Sequence, residues 1–181
     1  DWLHVFVVQE DVSVFPFKDR FSMVLDGSFH LSNVTVHPGS KYIISRGTFP
    51  SYFLKEKQIV NEVYAAVDLM MFRRYIAPSL GITHRFVGTE PFCKVTAQYN
   101  RAMHHWLEDE MTMPATSIKV NEIQRRTDEN DLPISASGVR QLLRENNLFA
   151  VQDRVPASTM PYLNKWVARH QCEHPDLAVE V

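Results

Sequence analysis

The chain has 181 residues, 45% of them hydrophobic and 22% charged, which is the composition of a single globular domain with a core of ordinary size. A formal net charge of −2 excludes a general basic surface for a nucleic-acid backbone. No apolar run approaches membrane-spanning length, and the two cysteines, Cys93 and Cys172, make neither a disulfide framework nor a metal site, which suits a reducing compartment.

Leu3–Val8 is apolar and rich in β-branched residues, with His4 its one polar side chain, and predicts a strand buried on both faces. Asp11 and Ser13 follow at the carboxyl end of that strand, where α/β sheets place ligands. Pro16 suits a first helical turn, and Phe17, Phe21, Val24 and Leu25 recur at helical spacing up to Gly27. Arg20 falls on this helix away from the apolar stripe, either as a solvated charge or as a ligand for an anion. Val34–His37 predicts a short strand closed by the turn Pro38-Gly39.

Residues 40–55 mix aromatics with Lys41, Arg46 and Lys55, and read equally as a substrate-facing loop or a packed excursion. Residues 56–80 predict a helix in two pieces, stopped by Gly81. Ile82–Val87 predicts the next strand. At its exit Gly88 permits a tight turn or a close approach to a ligand, followed by Thr89 and Glu90. Glu90 reads either as a capping carboxylate or as a ligand contact. Residues 94–109 predict a helix with Val95, Tyr99, Met103, Trp106 and Leu107 on one stripe. Its adjacent His104 and His105 point to different faces, and the expectation is that neither has a Cys or carboxylate partner one turn on along its own face, so no metal site is predicted. Ile118–Ile123 predicts the last strand, and Gln124–Leu132 a charged loop.

That loop leads into Pro133–Arg140, P-I-S-A-S-G-V-R, which opens a helix running to about Asn146. Ser135 or Ser137 can cap it, because a hydroxyl accepts from the free amides of the first turn. The same amides, the helix dipole, two hydroxyls and the fork of Arg140 suit phosphate oxygens. An ordinary N-cap with a surface arginine has the same residues. Two further helical pieces, Phe149–Val155 and Pro161–His170, follow. Strands alternating with helices predict an open parallel α/β sheet with crossover connections. The three marked stretches all follow strands, at the ends where such sheets bind ligands, which favours a phosphate-bearing ligand such as a nucleotide.

Four runs carry a specific resemblance: E-D-V-S-V-F-P-F-K-D-R, Y-I-I-S-R-G-T-F-P, T-H-R-F-V-G-T-E-P-F-C-K-V-T-A-Q-Y-N and P-I-S-A-S-G-V-R. In this order they resemble the carboxy-terminal catalytic domain of the citrate lyase ligases, over most of the chain and more weakly after about residue 155. The resemblance implies a bacterial, cytoplasmic, AMP-forming acid–thiol ligase. Such an enzyme activates acetate with ATP and Mg²⁺ to acetyl-adenylate. It then passes the acetyl group to the thiol of the phosphopantetheine-like arm on the citrate lyase acyl carrier (gamma) subunit. It implies that Ser135, Ser137 and Arg140 hold the ATP phosphates, with Ser135 and Arg140 serving the chemistry. Gly88, Thr89 and Glu90 are then the strand-end loop near the nucleoside, Arg20 lies by the bound substrate, and Lys41 and Arg46 are on the acceptor side.

The implied fold is the Rossmann-like parallel sheet of the H-x-G-H nucleotidyltransferases, strand order 3-2-1-4-5. The H-x-G-H run is absent from the 181 residues, and the chain enters a buried-type strand straight after Asp1. The expectation is therefore that residues 1–181 form the carboxy-terminal part of one nucleotidyltransferase-like domain. Its first, central strand and an acetyltransferase-like domain would lie upstream, leaving Leu3–Val8 unpaired with Ile82–Val87 and this chain alone inactive. Two other functions share these residues: a nucleotidyltransferase that adenylylates a phosphate-bearing acceptor, and a non-catalytic module that binds nucleotide or carrier.

Overall fold

A computed structural model describes residues 1–9, 15–50, 62–111 and 117–173, the last four by their backbone alone. Asp11, Ser13 and Lys55 lie outside the described residues. Strands β1 (Leu3–Phe6), β2 (Val34–His37), β3 (His84–Gly88) and β4 (Lys119–Ile123) form two separate two-stranded sheets, β1–β2 and β3–β4. β3 and β4 run parallel, with Arg85 opposite Val120 and Gly88 opposite Ile123. In the other pair, Leu3 N–H donates to Asn33 O (2.9 Å) and Val7 N–H to His37 O (3.0 Å). Both bonds advance in the same sense, so β1 and β2 are parallel too. Each pair is joined through a helix: α1 (Phe17–Ser28) and α4 (Lys94–Glu108). Among the described residues no ladder joins β1 to β3.

β1 is shorter than its apolar run and is not buried on both faces: Leu3 is 43% exposed, and only Val7, just past the strand, is fully buried. Among the described residues β1 has one neighbour strand, which leaves its other edge without a covering partner. The β3–β4 sheet is likewise open on one face, where Phe86 and Ile123 are more than half exposed.

The chain divides into two compact units, Asp1–Val5 with Lys18–Val36 and Arg126–Val181, and Phe6–Phe17 with His37–Arg125. In the second, α2 (Glu62–Met71) packs on α4, which packs on β4. The helix stripe expected of residues 94–109 is the core: Val95, Tyr99, Met103 and Leu107 are buried, beside Phe49, Leu69, Phe72, Ile118 and Val120. Complete burial of Leu69 and Leu107 contributes about 2 kcal/mol each. After α2 the helix widens to a π turn (Phe72–Ile76) before α3 (Ala77–Leu80). Pro78 has no N–H for the carbonyl four residues back, and Ala77 N–H reaches instead to Phe72 O. Gly81, at φ +64°, ends α3. Arg73, fully buried, donates to the carbonyls of Trp106 and Asp109 at 2.7 Å and closes the carboxyl end of α4. The turn after β2 needs glycine. Gly39 sits at φ +69°, and a Cβ there would overlap the Val7 carbonyl.

In the first unit α5 (Ala136–Arg144) packs on α6 (Leu148–Gln152) and α7 (Met160–Glu173), burying Leu143, Val151, Leu163 and Val167. α1 buries no side chain fully; Tyr162 on α7 donates to its Asp26 at 2.6 Å.

Candidate functional site

The octet is delivered by a compact loop. Asp128 Oδ1 accepts from the amides of Asn130 and Leu132, Thr127 bridges Pro133, and Ile134 N–H donates to Arg126 O at 2.9 Å. Arg154 Nη2 pairs with Asp128 Oδ2 at 3.3 Å and ties this loop to the chain after α6. Ser135 therefore arrives extended, at φ −113° and ψ 147°, and is the N-cap of α5. Its Oγ accepts from Gly138 N–H at 3.0 Å and lies 3.2 Å from Ser137 Oγ. Gly138 is matched to this cap, since a Cβ there would stand 3.1 Å from Ser135 Oγ. Between the two possible caps the structure thus selects Ser135 and leaves Ser137 on the open rim. Ala136 and Ser137 are exposed, and their amides, in the first turn, have no intrahelical acceptor. Arg140 is half-buried one turn on and makes no ion pair among the described residues. Arg20 lies in the same unit, half-buried on α1 rather than fully solvated.

Gly88, Thr89 and Glu90 belong to the second unit. Gly88 ends β3 without a left-handed φ, and a Cβ there would meet nothing within 4 Å. The freedom that Gly88 offers is thus not used for a left-handed turn at this position, and Asn100 Nδ2 donates to its carbonyl at 2.9 Å. Glu90 acts as a cap. Its Oε1 accepts from the amides of Phe92 and Cys93 at 2.9 and 3.0 Å, just ahead of α4. Its Oε2 accepts from Arg125 Nη2 at 2.7 Å. Arg125 also donates from Nε to Thr89 O (2.9 Å) and from its backbone N–H to Thr89 Oγ1 (3.2 Å). One arginine thus staples the ends of two strands. Sequence reasoning passed over it, although it lies two residues beyond Ile123, the partner of Gly88.

Lys41 and Arg46 lie in the same unit on the loop of residues 40–49, both exposed. Ser45 Oγ knits that loop together, donating to Lys41 O (2.6 Å) and accepting from the amides of Gly47 and Thr48 (3.1 Å each). Of its two readings the loop has features of both, since Ile43, Ser45, Thr48 and Phe49 are buried beneath an exposed rim.

The view of His104 needs correction. Glu108, one turn on, is its partner: Nδ1 lies 2.9 Å from Oε2, while Nε2 lies 3.5 Å from Glu122 Oε1. Burial acts to raise the Glu108 carboxyl, but the Val120 N–H at 2.8 Å and His104 outweigh it and hold the group below its ordinary value. No three His, Cys, Asp or Glu side chains converge on a metal position among the described residues. A cavity of about 420 Å³ between α2 and α4, lined by Gln98, Arg101, His105 and Trp106, contains none of the residues expected to bind nucleotide.

Two β-α-β units with small parallel sheets make this a mixed α/β chain, consistent with a nucleotidyltransferase-like protein. The chain belongs to the family of citrate lyase ligase C-terminal domains, whose model matches residues 1–163. It is 55% identical over 163 residues to a citrate (pro-3S)-lyase ligase of Escherichia coli (strain K12), covering 90% of this chain and 46% of that protein. Proteins of the same description from Haemophilus influenzae (54% over 165 residues; 91% and 49% covered) and Klebsiella pneumoniae (48% over 163 residues; 90% and 47%) are similar to it as well. The chain spans about half the length of the curated relatives it matches. No solved structure matches it.

Proposed function

We propose that the full-length protein activates citrate lyase. On this reading it forms acetyl-adenylate from acetate and ATP, releases pyrophosphate, and acetylates the thiol arm of the lyase's acyl carrier subunit. This chain supplies the second phosphate-binding motif and the nucleoside-side and acceptor-side loops. The observation that carries the reading is the 48–55% identity to proteins described as citrate (pro-3S)-lyase ligases, over 163 to 165 residues that include the capped octet.

Acetate oxygen attacks the α-phosphorus in line, and the bond to pyrophosphate breaks. Such a step needs positioning and neutralisation of charge more than covalent help. The first-turn amides of Ala136 and Ser137, which have no intrahelical acceptor, with the Ser137 hydroxyl, 3.2 Å from Ser135 Oγ, and the guanidinium of Arg140 suit the oxygens of the departing pyrophosphate. Ser135 holds the turn that points them. Gly88, Thr89 and Glu90 border the nucleoside, with Arg125 fixing their backbone. Arg20 stands by the substrate, and Lys41 and Arg46 face the carrier's phosphate-bearing arm. Mg²⁺ bound with the triphosphate would supply further neutralisation of phosphate charge beside the first-turn amides of α5, Ser137 and Arg140. The H-x-G-H run is not among the 181 residues, and no α-phosphate contact is assigned to them.

The test is pyrophosphate release by the full-length protein with ATP and either acetate or a phosphate ester such as phosphopantetheine. Release that requires acetate, followed by acetyl transfer to the carrier thiol, supports the ligase. Release that requires the phosphate ester makes the protein a nucleotidyltransferase instead.

A further inference from the structure

Asp68, on α2, is 1% exposed and belongs to no part of the site described so far. A buried carboxylate is costly unless its oxygens are satisfied. Here Oδ1 accepts from Ile44 N–H and from Thr48 Oγ1, both at 2.6 Å, and Oδ2 accepts from Tyr99 OH at 2.6 Å. Tyr99 is 2% exposed on α4, and burial pushes its phenol far above the ordinary value, so it stays a donor. Its ring lies against Phe49 at 4.8 Å, and the Arg85 guanidinium stands 5.9 Å from its centroid. One carboxylate therefore ties the loop of residues 40–49 to two helices. The loop is also strained: Ile44, a β-branched residue, is held at φ +45°. Asp68 takes the amide of that very residue. Above this anchor the loop turns Lys41, Tyr42 and Arg46 outward.

We infer that Asp68, with Tyr99 and Thr48, is a positioning cluster that holds the loop bearing Lys41 and Arg46 in one conformation for the thiol acceptor. The inference rests on the proposed ligase reading for what the loop meets. It goes beyond that reading in assigning a buried network that contains none of the nucleotide residues to the second half-reaction alone.

The experiment compares Thr48→Val, Thr48→Ser and Asp68→Asn in the full-length protein. Two rates are read: acetate-dependent pyrophosphate release, and acetyl transfer to the carrier. Displacement of a positioning loop costs on the order of tenfold to a hundredfold. Thr48→Val and Asp68→Asn should lose that much in kcat/KM for the carrier while pyrophosphate release stays at the wild-type rate, and Thr48→Ser, which keeps the hydroxyl, should recover transfer. Equal loss in both half-reactions, or unimpaired transfer in Thr48→Val, overturns the inference. If Asp68→Asn does not fold, the Thr48 pair decides alone. Should the wild type show no acetate-dependent release, the ligase reading fails, and the anchor is then judged by amide hydrogen exchange at residues 44–49. Faster exchange in Thr48→Val than in Thr48→Ser supports it, and equal exchange refutes it.

Discussion

Ser135 and Ser137 lie two residues apart and touch, yet their replacement by Ala should have different consequences. Ser135 Oγ is the acceptor for Gly138 N–H, and an N-cap serine removed in this way costs about 1 kcal/mol. In a domain of 150–250 residues that lowers the unfolding midpoint by about 2–4 °C. Ser137 is exposed and caps nothing, so Ser137→Ala should leave the midpoint unchanged. A hydrogen bond to a charged group contributes about 1.5–3 kcal/mol, so losing a hydroxyl from the phosphates should raise the KM for ATP about tenfold to a hundredfold. Ser137→Ala should therefore bind ATP poorly at full stability, and Ser135→Ala should lose both. Thermal unfolding and ATP titration of the full-length variants read the two effects separately. An unchanged ATP KM in Ser137→Ala, or an unchanged midpoint in Ser135→Ala, refutes the division of labour.

Three further outcomes concern the frame. Arg125→Met leaves Glu90, whose side chain is only 10% exposed, without its ion pair; a stability loss of about 2 kcal/mol is expected in denaturant titration, and no loss would show the staple to be ornamental. Gly39→Ala should cost roughly 2 kcal/mol or more, from left-handed strain and overlap with Val7 O, where an ordinary surface glycine would lose little. Glu108 is depressed in the fold, so its contribution is present above its ordinary value of 4.5 and is lost as pH falls through the folded value. Glu108→Gln should flatten the acid limb of the midpoint-versus-pH curve, and a limb as steep as wild type would contradict the pairing.

Periodicity carried the second unit. Apolar residues at 95, 99, 103 and 107 can face one way only on a helix, and they are the core. The cap was legible for the same reason: it is a local device, read from serines ahead of a helix. What escaped was non-local. Arg125 meets Glu90 because two strands pair in register, 35 residues apart in sequence. Asp68 reaches Ile44 and Tyr99 from positions 24 and 31 residues away. A carboxylate on an otherwise apolar helix face was the available signal, and it was overshadowed by the charged loops. The His104–Glu108 pair was local and missed: the i,i+4 spacing is plain once both residues are placed on one face. Leu3–Val8 looked doubly buried because its composition reports hydrophobicity, whereas burial depends on neighbours that composition does not contain.

That the amino end of α5 faces the pyrophosphate of a bound nucleotide is tested most directly through Arg140. In the full-length protein, Arg140→Ala should lower acetate-dependent pyrophosphate release on the order of 10²-fold while leaving the unfolding midpoint in place. Release within about twofold of wild type would mean that this arginine touches no leaving group, and that the helix end is a cap and nothing more.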